Sequence, residues 1–168
     1  METILLGLGS NRGDSHGILA GAIKRLASFL GGIRISSVYI TAPQDYLNQD
    51  DFHNMVISGL YEGSPASLLG TLQQIESDYG RNRNTEIPKG PRTLDIDILF
   101  FGTQVVMLDN PPLVIPHPAV CRRAFVLIPL LELYPEYIHP VTQTPLAAAL
   151  AALPDQGVRK TDYRMLQM

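Results

Sequence analysis

The sequence predicts a mixed fold of α-helices and β-strands built around an antiparallel sheet. Short β-rich apolar runs alternate with stretches of helical spacing, and turn or capping residues separate them. Hydrophobic residues make up 45% of the 168 residues and charged residues 17%, which suits a chain with a buried core. We therefore expect residues 1–168 to form a single domain.

The first part of the predicted fold is a strand, a helix and a strand. Residues 4–8 form an apolar run that ends in a glycine-rich turn. From Ser15 onward, apolar residues recur at helical spacing, and Gly31-Gly32 is expected to end that helix. Residues 33–41 are rich in β-branched and aromatic residues, which is typical of a strand.

A second strand, helix and strand follow. Residues 52–61 predict a strand, Ser64-Pro65 suits the start of a helix, Gly80 suits its end, and residues 93–101 predict another strand. The order β-α-β-β-α-β matches the ferredoxin-like split βαβ arrangement, an α/β (α+β) fold with its helices on one face of an antiparallel sheet. The expected C-terminal additions are a hairpin partner at 105–108 and helices at 125–133 and 146–153.

Charge and composition argue against several classes of protein. The net charge is −3, whereas general nucleic-acid binders usually carry a basic surplus. No apolar run is long enough to span a bilayer, and no secretory signal is visible. The lone Cys121 offers no internal disulfide and is expected to be a packed thiol. We expect a cytoplasmic protein with small-molecule partners, without nucleic acid, membrane or an obligate protein partner.

Glycines near the N-terminus invite comparison with nucleotide-binding motifs. In Gly7-Leu8-Gly9-Ser10-Asn11-Arg12-Gly13 the third glycine falls one position late for the dinucleotide fingerprint. The Walker A pattern is also missing from the sequence. Taken alone, these glycines indicate a tight turn between a strand and a helix.

Two aspartates in the strand at 93–101 are more informative. Asp95 and Asp97 are separated by one residue, so both side chains point to the same face of the strand while Ile96 points into the core. Adjacent carboxylates repel each other unless a cation lies between them, and oxygen ligands of this kind suit Mg²⁺. For the pair by itself, an ordinary solvent-facing strand surface is the alternative.

Basic residues beside this pair favour a functional interpretation. Arg81, Arg83, Lys89 and Arg92 lie in the loop that leads into the strand. Guanidinium groups match the geometry of phosphate oxygens. Basic side chains that can bind phosphates are therefore next to carboxylates that can bind a metal, and an Mg·ATP site requires both. His117, followed by Arg123 and Phe125, adds two further donors and an aromatic ring; a structural histidine and a core phenylalanine remain the alternatives.

Together these segments resemble the 6-hydroxymethyl-7,8-dihydropterin pyrophosphokinase family. The strongest match is Gly90-Pro91-Arg92-Thr93-Leu94-Asp95-Ile96-Asp97-Ile98-Leu99. Other segments follow in the family's order: Gly7 to Asn11, Tyr39 to Pro43, Phe52-His53-Asn54, Ile75-Glu76 with Gly80-Arg81, Ile115 to Pro118, and Arg123 to Phe125.

The resemblance implies transfer of the β,γ-diphosphate of ATP to the pterin hydroxymethyl group, releasing AMP, in folate synthesis. It implies ATP as co-substrate and two Mg²⁺ ions. The implied metal ligands are Asp95 and Asp97. The implied catalytic residues are Arg81, Arg83, Arg92 and Asp97. The implied ATP contacts are Gln73, Arg83, Arg92, Ile98, His117 and Arg123. The implied pterin site is Thr41, Ala42, Phe52, Asn54 and Phe125.

The sequence departs from the family pattern in two loops. The chain has no Trp where the family usually has one near the end of the basic loop, and Asp45 stands where a Gly is common. Two alternative functions stay open at this point. One is another Mg-dependent nucleotidyl transferase, and the other is a non-catalytic protein that binds nucleotide or pterin.

Overall fold

A six-stranded antiparallel sheet forms the centre of the computed structural model, which describes residues 1–42, 50–81 and 91–163. In chain order, its strands and helices are β1 (Glu2–Ser10), α1 (Ser15–Ala27), β2 (Gly31–Ile35), β3 (Tyr39–Thr41), β4 (Phe52–Tyr61), α2 (Pro65–Asp78), β5 (Asp95–Phe101), β6 (Val106–Asp109), β7 (Pro112–Ile115), α3 (Ala124–Leu133), α4 (Leu146–Ala151) and β8 (Arg159–Lys160). A short 3₁₀ helix, Val120–Arg122, precedes α3.

The strand order confirms the predicted ferredoxin-like core. The strands lie in the order β5-β1-β4-β3-β8, and β2 also pairs with β4. β1 is antiparallel to both of its neighbours, β4 and β5. Helix α1 connects β1 to β2, and α2 connects β4 to β5. Each helix therefore crosses over one intervening strand, as the split βαβ arrangement requires.

Both faces of the sheet are covered, by different helices. On one face, Leu6 of β1 belongs to a buried cluster with Leu19 of α1 and Leu72 of α2. On the other, Leu5 belongs to a second cluster with Leu127 of α3, to which α4 also contributes. The prediction of helices on one face thus describes α1 and α2, whereas the C-terminal additions cover the opposite face.

A β-bulge in β5 changes which side chains share a face. Leu5 pairs with Phe100, but the next residue of β1, Leu6, pairs with Ile98, so Leu99 is the extra residue. Before the bulge, Ile96 and Ile98 pack in the cluster under α1 and α2. Asp95 and Asp97 point the other way, as predicted from their spacing.

Several predicted boundaries were wrong. The glycine-rich turn was expected from Gly7 onward, but β1 continues through Gly7 and Gly9 to Ser10. Helix α1 ends at Ala27, not at the glycine pair, because the next two residues already satisfy its last carbonyls. The Ser28 N–H and Oγ donate to Arg25 O at 3.2 and 2.7 Å, and the Phe29 N–H donates to Leu26 O at 3.2 Å. Gly31 instead begins β2. The strand predicted at 33–41 is interrupted at Ser36, whose Oγ accepts the backbone N–H of Val56 at 2.9 Å.

Other predicted elements are confirmed. Strand β4 has the predicted bounds. The Ser64 side chain caps α2 by accepting the Ser67 N–H at 3.1 Å, and Gly80 adopts φ +83° just after the helix, a conformation that favours glycine. A strand, β6, is present where a hairpin partner was predicted at 105–108, but the predicted pairing was wrong, because β6 pairs with β7 in a separate two-stranded sheet and not with β5. Within the described ranges, no helix is both long and apolar enough to cross a membrane.

Candidate active site

A pocket of about 180 Å³ opens on the α3 side of the sheet, and most of the predicted site residues line it. Its walls come from β1, β3, β4, β5 and the start of α3. They consist of Gly7, Leu8, Gly9, Thr41, Ala42, Phe52, Asn54, Met55, Arg92, Asp95, Asp97, Leu99, Arg123, Phe125 and Val126. The pocket therefore joins an aromatic and amide region to a charged region.

All five residues predicted for the pterin site line this pocket: Thr41, Ala42, Phe52, Asn54 and Phe125. The buried Asn54 Nδ2 donates to Thr41 Oγ1 at 2.9 Å, which fixes the orientation of the amide. Its Oδ1 lies beside Gly9, where a Cβ would approach within 3.3 Å. Gly9 thus allows β1 to pass close to the Asn54 side chain, a packing reason for a glycine in this strand.

Asp95 lies between two arginines. Its Oδ1 accepts from Arg81 and its Oδ2 accepts from Arg92. Burial alone would raise the pKa of Asp95, but the charges of Arg92 and Arg81 and their hydrogen bonds outweigh burial and hold the pKa below its usual 3.8. Asp95 is therefore a charged carboxylate at neutral pH.

Asp97 has a different environment on the same face. Arg123 Nη1 lies 3.6 Å and His117 Nε2 lies 3.9 Å from its Oδ2. Burial, followed by the negative charge of Asp95, raises the pKa of Asp97, and the nearby His117, Arg123 and Arg92 offset this only in part. A cation bound beside both carboxylates would offset the repulsion between Asp95 and Asp97 and would stabilise the charged form of Asp97.

The backbone and side chain of His117 are both constrained. Its N–H donates to Leu99 O at 2.9 Å, and its Nδ1 accepts the Ala119 N–H at 3.1 Å. The neutral ring therefore carries its proton on Nε2, the nitrogen that faces Asp97. Burial lowers the pKa of His117, Arg123 lowers it further, and the attraction of Asp97 and Asp95 for the proton does not reverse this.

Two buried residues hold the charged region in place, and sequence reasoning gave neither of them a role. Glu76 of α2 is 1% exposed; its Oε1 accepts the Ile96 N–H at 2.7 Å and also accepts from Arg81. Asn11 Oδ1 accepts the Arg92 N–H at 2.8 Å, and the Asn11 N–H donates to Arg92 O at 3.0 Å. The sequence did offer one signal for Glu76: it is a charged residue that directly follows the apolar Ile75 on the buried face of a predicted helix.

Some predicted residues lie outside the pocket wall. His117 and Arg81 contact residues of the pocket wall: His117 Nε2 lies 3.9 Å from Asp97 Oδ2, and Arg81 donates to Asp95 Oδ1. Gln73 is half-buried on α2. The Ile98 side chain packs in the core, so a contact with a nucleotide would have to use its backbone. Arg83 lies outside the described residues, as do Lys89, Asp45 and the loop positions that depart from the family pattern.

Cys121 is not part of the site. It packs beside the cluster under α3, and burial raises the pKa of its thiol. A thiol that resists ionisation is a poor nucleophile, which agrees with the expectation of a packed cysteine.

Comparison with known proteins gives a consistent result. Residues 5–135 match the family described as 7,8-dihydro-6-hydroxymethylpterin-pyrophosphokinase. The chain is 38% identical over 146 residues to the 2-amino-4-hydroxy-6-hydroxymethyldihydropteridine pyrophosphokinase of Aquifex aeolicus, covering 87% of this chain and 89% of that protein. It is 39% identical over 166 residues to the protein of the same name from Methylorubrum extorquens, covering 96% of this chain and 100% of that protein.

Other relatives are much longer. The folic acid synthesis protein fol1 of Pneumocystis carinii is 34% identical over 161 residues, which is 94% of this chain but 21% of that protein. The crystal structure of wild-type Plasmodium falciparum HPPK-DHPS superposes with a TM-score of 0.68 at 18% identity, covering 89% of this chain and 44% of that one. This structural likeness supports the fold. The sequence matches to the family and to the two relatives of similar length establish that the chain belongs to the 7,8-dihydro-6-hydroxymethylpterin-pyrophosphokinase family.

Proposed function

We propose that this chain transfers the β,γ-diphosphate of ATP to the hydroxymethyl oxygen of 6-hydroxymethyl-7,8-dihydropterin, a step of folate synthesis. The bond from that oxygen to the β-phosphorus forms, the bond between the β-phosphorus and the oxygen of the α-phosphate breaks, and AMP leaves. One observation carries the proposal: a single pocket joins an aromatic and amide region to a pair of carboxylates and two arginines. These are the groups that a flat heterocycle and a polyphosphate require.

The aromatic and amide region suits the pterin. Phe52 and Phe125 offer flat apolar surfaces from two different elements, β4 and α3. Asn54 offers an amide for the polar edge of the ring, and its link to Thr41 holds that amide in one orientation. In this proposal the pterin hydroxymethyl group points along the pocket toward Asp97.

The charged region suits ATP with magnesium. Asp95 and Asp97 present hard oxygen ligands on one face of β5, and two magnesium ions held by these carboxylates would be completed by phosphate oxygens and water. Bound there, magnesium would neutralise phosphate charge and favour loss of the hydroxymethyl proton. Both Asp95 oxygens already accept from arginines, so we propose that Arg81 or Arg92 moves toward the phosphates when Asp95 binds a metal.

The remaining charged residues would position and stabilise the phosphates. Arg123 and His117 lie beside Asp97 and can donate to phosphate oxygens near the reacting phosphorus. Arg81, Arg83 and Arg92 supply further positive charge, and Gln73 and Ile98 complete the proposed ATP site. Since the reaction occurs at phosphorus, the protein acts mainly by orienting reactants and neutralising charge.

The same proposal treats residues 1–168 as one pyrophosphokinase domain with small-molecule partners. The C-terminal residues support this, since β8 extends the same sheet that carries the pocket. The cytoplasmic location expected from the sequence stays a prediction.

Analysis of the nucleotide products tests the proposed reaction. The protein is incubated with ATP, Mg²⁺ and reduced hydroxymethyl pterin, and the nucleotides are separated by chromatography. We expect AMP in amounts equal to the pterin diphosphate, no AMP when the pterin is omitted, and no free pyrophosphate.

Each other product identifies a different activity. ADP would indicate transfer of a single phosphoryl group, and free pyrophosphate would indicate a nucleotidyl transferase. Binding of ATP and pterin without any product would indicate a non-catalytic binding protein. Any of these three results would overturn the proposed reaction.

A further inference from the structure

The C-terminal strap, defined as residues 154–163, lies beyond the family match at 5–135 and bonds to two elements that contribute to the pocket walls, β3 and the start of α3. Its β8 pairs with Tyr39 and Ile40 of β3, the strand that ends at Thr41 in the pocket. The Thr161 N–H and Oγ1 both donate to Val38 O, at 2.9 and 3.0 Å. One end of the strap is thus fixed to β3.

The other end of the strap is fixed to the start of α3 through one side chain. Gln156 Oε1 accepts the backbone N–H of Ala124 at 2.9 Å, and its Nε2 donates to Arg122 O at 3.0 Å. Helix α3 begins at Ala124, and its N-cap residue, Arg123, makes no side-chain capping bond. Gln156 therefore supplies, from 32 residues away, the capping acceptor that the local sequence lacks.

These two hydrogen bonds lie on either side of Arg123. Arg123 is extended, with φ −119° and ψ 102°, between a 3₁₀ helix that ends at Arg122 and α3, which begins at Ala124. Arg123 is the residue that links these two helical segments, and rotation of its backbone would move both its own side chain and that of Phe125. Gln156 holds the peptide groups before and after it.

The side chains controlled by this junction belong to the site. Arg123 Nη1 lies 3.6 Å from Asp97 Oδ2, and its guanidinium lies 5.7 Å from the centre of the Phe125 ring. Both residues line the pocket, one in the charged region and one in the aromatic region. A small change at the junction would therefore alter both halves of the pocket at once.

We propose that Gln156 is a positioning residue that holds the backbone around Arg123, and thereby places Arg123 for the ATP phosphates and Phe125 for the pterin ring. This rests on the proposed function, because the two ligands are those of that reaction. Gln156 acts through the Arg122–Ala124 backbone and touches neither ligand in this proposal.

The matched test is Gln156→Met, which keeps the length and approximate volume of the side chain but removes both the donor and the acceptor. Its control is Gln104→Met, the same change at an exposed glutamine whose amide lies 3.4 Å from Glu2 Oε1, away from the pocket. We expect Gln156→Met to raise the KM for both ATP and the pterin about five- to tenfold, the size of effect that loss of a hydrogen-bonded support produces. We expect kcat to fall by no more than this factor, because Arg123 donates near the reacting phosphorus, whereas Asp95 and Asp97 are held by β5 and are not touched by Gln156.

Backbone hydrogen exchange provides a readout that does not depend on the reaction. In Gln156→Met, exchange of the amides in residues 122–127 should accelerate, while exchange in β1 and β4 stays as in the wild type. Unchanged KM values together with unchanged exchange would overturn the proposal, as would a uniform acceleration throughout the chain, which would indicate general destabilisation.

Failure of this inference is distinguishable from failure of the proposed function. A wild-type protein that does not form AMP from ATP and pterin contradicts the proposed function. In that case the exchange experiment still decides whether Gln156 holds the Arg123 junction. An active wild type with an indistinguishable Gln156→Met contradicts the role of Gln156 alone.

Discussion

Asp97 is the residue on which the proposed chemistry depends most directly. It shares one face of β5 with Asp95, and burial and the neighbouring charge raise its pKa, so its charged form is stabilised by an added cation. We expect Asp97→Ala to lose magnesium-dependent turnover by several orders of magnitude while the chain stays folded. Steady-state kinetics over a range of Mg²⁺ concentrations, with circular dichroism for folding, measures this.

The control for this change is Asp109→Ala, which removes an exposed carboxylate at the end of β6. It should leave both turnover and the dependence on Mg²⁺ unchanged. If Asp97→Ala retained turnover near that of the wild type with the same magnesium dependence, Asp97 would have to be removed from the metal site.

The spacing of two residues on a strand was enough to predict that Asp95 and Asp97 share a face. The partners of Asp95 could not be predicted in the same way. Arg81 reaches Asp95 only because α2 packs near β5 and Glu76 holds both Arg81 and the Ile96 N–H. Contacts of this kind depend on how a helix lies against a sheet, which the local sequence does not determine.

At the scale of whole elements, apolar periodicity predicted the type of each major helix and strand but missed several boundaries. Gly31-Gly32 has the composition of a helix end, yet Ser28 ends α1 earlier by bonding to the last turn. The break between β2 and β3 also depends on a serine, since the Ser36 hydroxyl takes the place of a backbone acceptor. Serine competes with the backbone for hydrogen bonds, and apolar periodicity does not detect this.

Ser36→Ala tests the energetic importance of that break. Ser36 is 3% exposed, and its Oγ accepts the Val56 N–H at 2.9 Å within the sheet. Alanine would leave that buried N–H without an acceptor, which typically costs about 1 to 3 kcal/mol. Urea unfolding of both proteins gives the free energy of unfolding.

Ser28→Ala is the comparison for this measurement, because Ser28 is exposed although its hydroxyl also bonds to the backbone. Water can replace an exposed hydrogen bond, so its effect should stay within about 0.5 kcal/mol. If Ser36→Ala and Ser28→Ala lowered the free energy of unfolding equally, burial of the Val56 N–H would not add to the cost of losing its acceptor.

At the scale of the molecule, the core and its pocket were more predictable than the parts that brace them. Strand geometry was enough to place Asp95 and Asp97 of β5 on one face, whereas the residues on β3 and β4 were assigned to a site by the family resemblance alone. Both kinds of argument refer to local segments. Residue Gln156 was not predicted at all, since it lies in a short polar segment without periodicity and acts on Ala124 across a long stretch of chain. Glu132 is a second brace of this kind.

Glu132 joins α3 to the β2–β3 connection and to the strap. Its carboxylate accepts from Ser37 Oγ at 2.7 Å, from Ser37 N at 3.1 Å and from Tyr39 OH at 3.0 Å, and Lys160 Nζ lies 3.5 Å away. Burial raises the pKa of Tyr39 to about 12, helped by its bond to Glu132. For Glu132 itself, burial opposes ionisation, but these donors prevail and hold its pKa below the usual 4.5.

This shift predicts a specific loss of stability in acid. Because the folded chain has the lower pKa, it favours the carboxylate, so the stabilisation is fully present above pH 4.5 and is lost as the pH falls through the folded value. Glu132→Gln should therefore be less stable than the wild type at pH 7, and the two should converge at the lowest pH. Urea unfolding from pH 7 to pH 3 measures this, with Glu136→Gln as the control at a nearby glutamate that is exposed, as Glu132 is. A constant difference between wild type and Glu132→Gln across that range would mean that the charge of Glu132 does not brace the molecule.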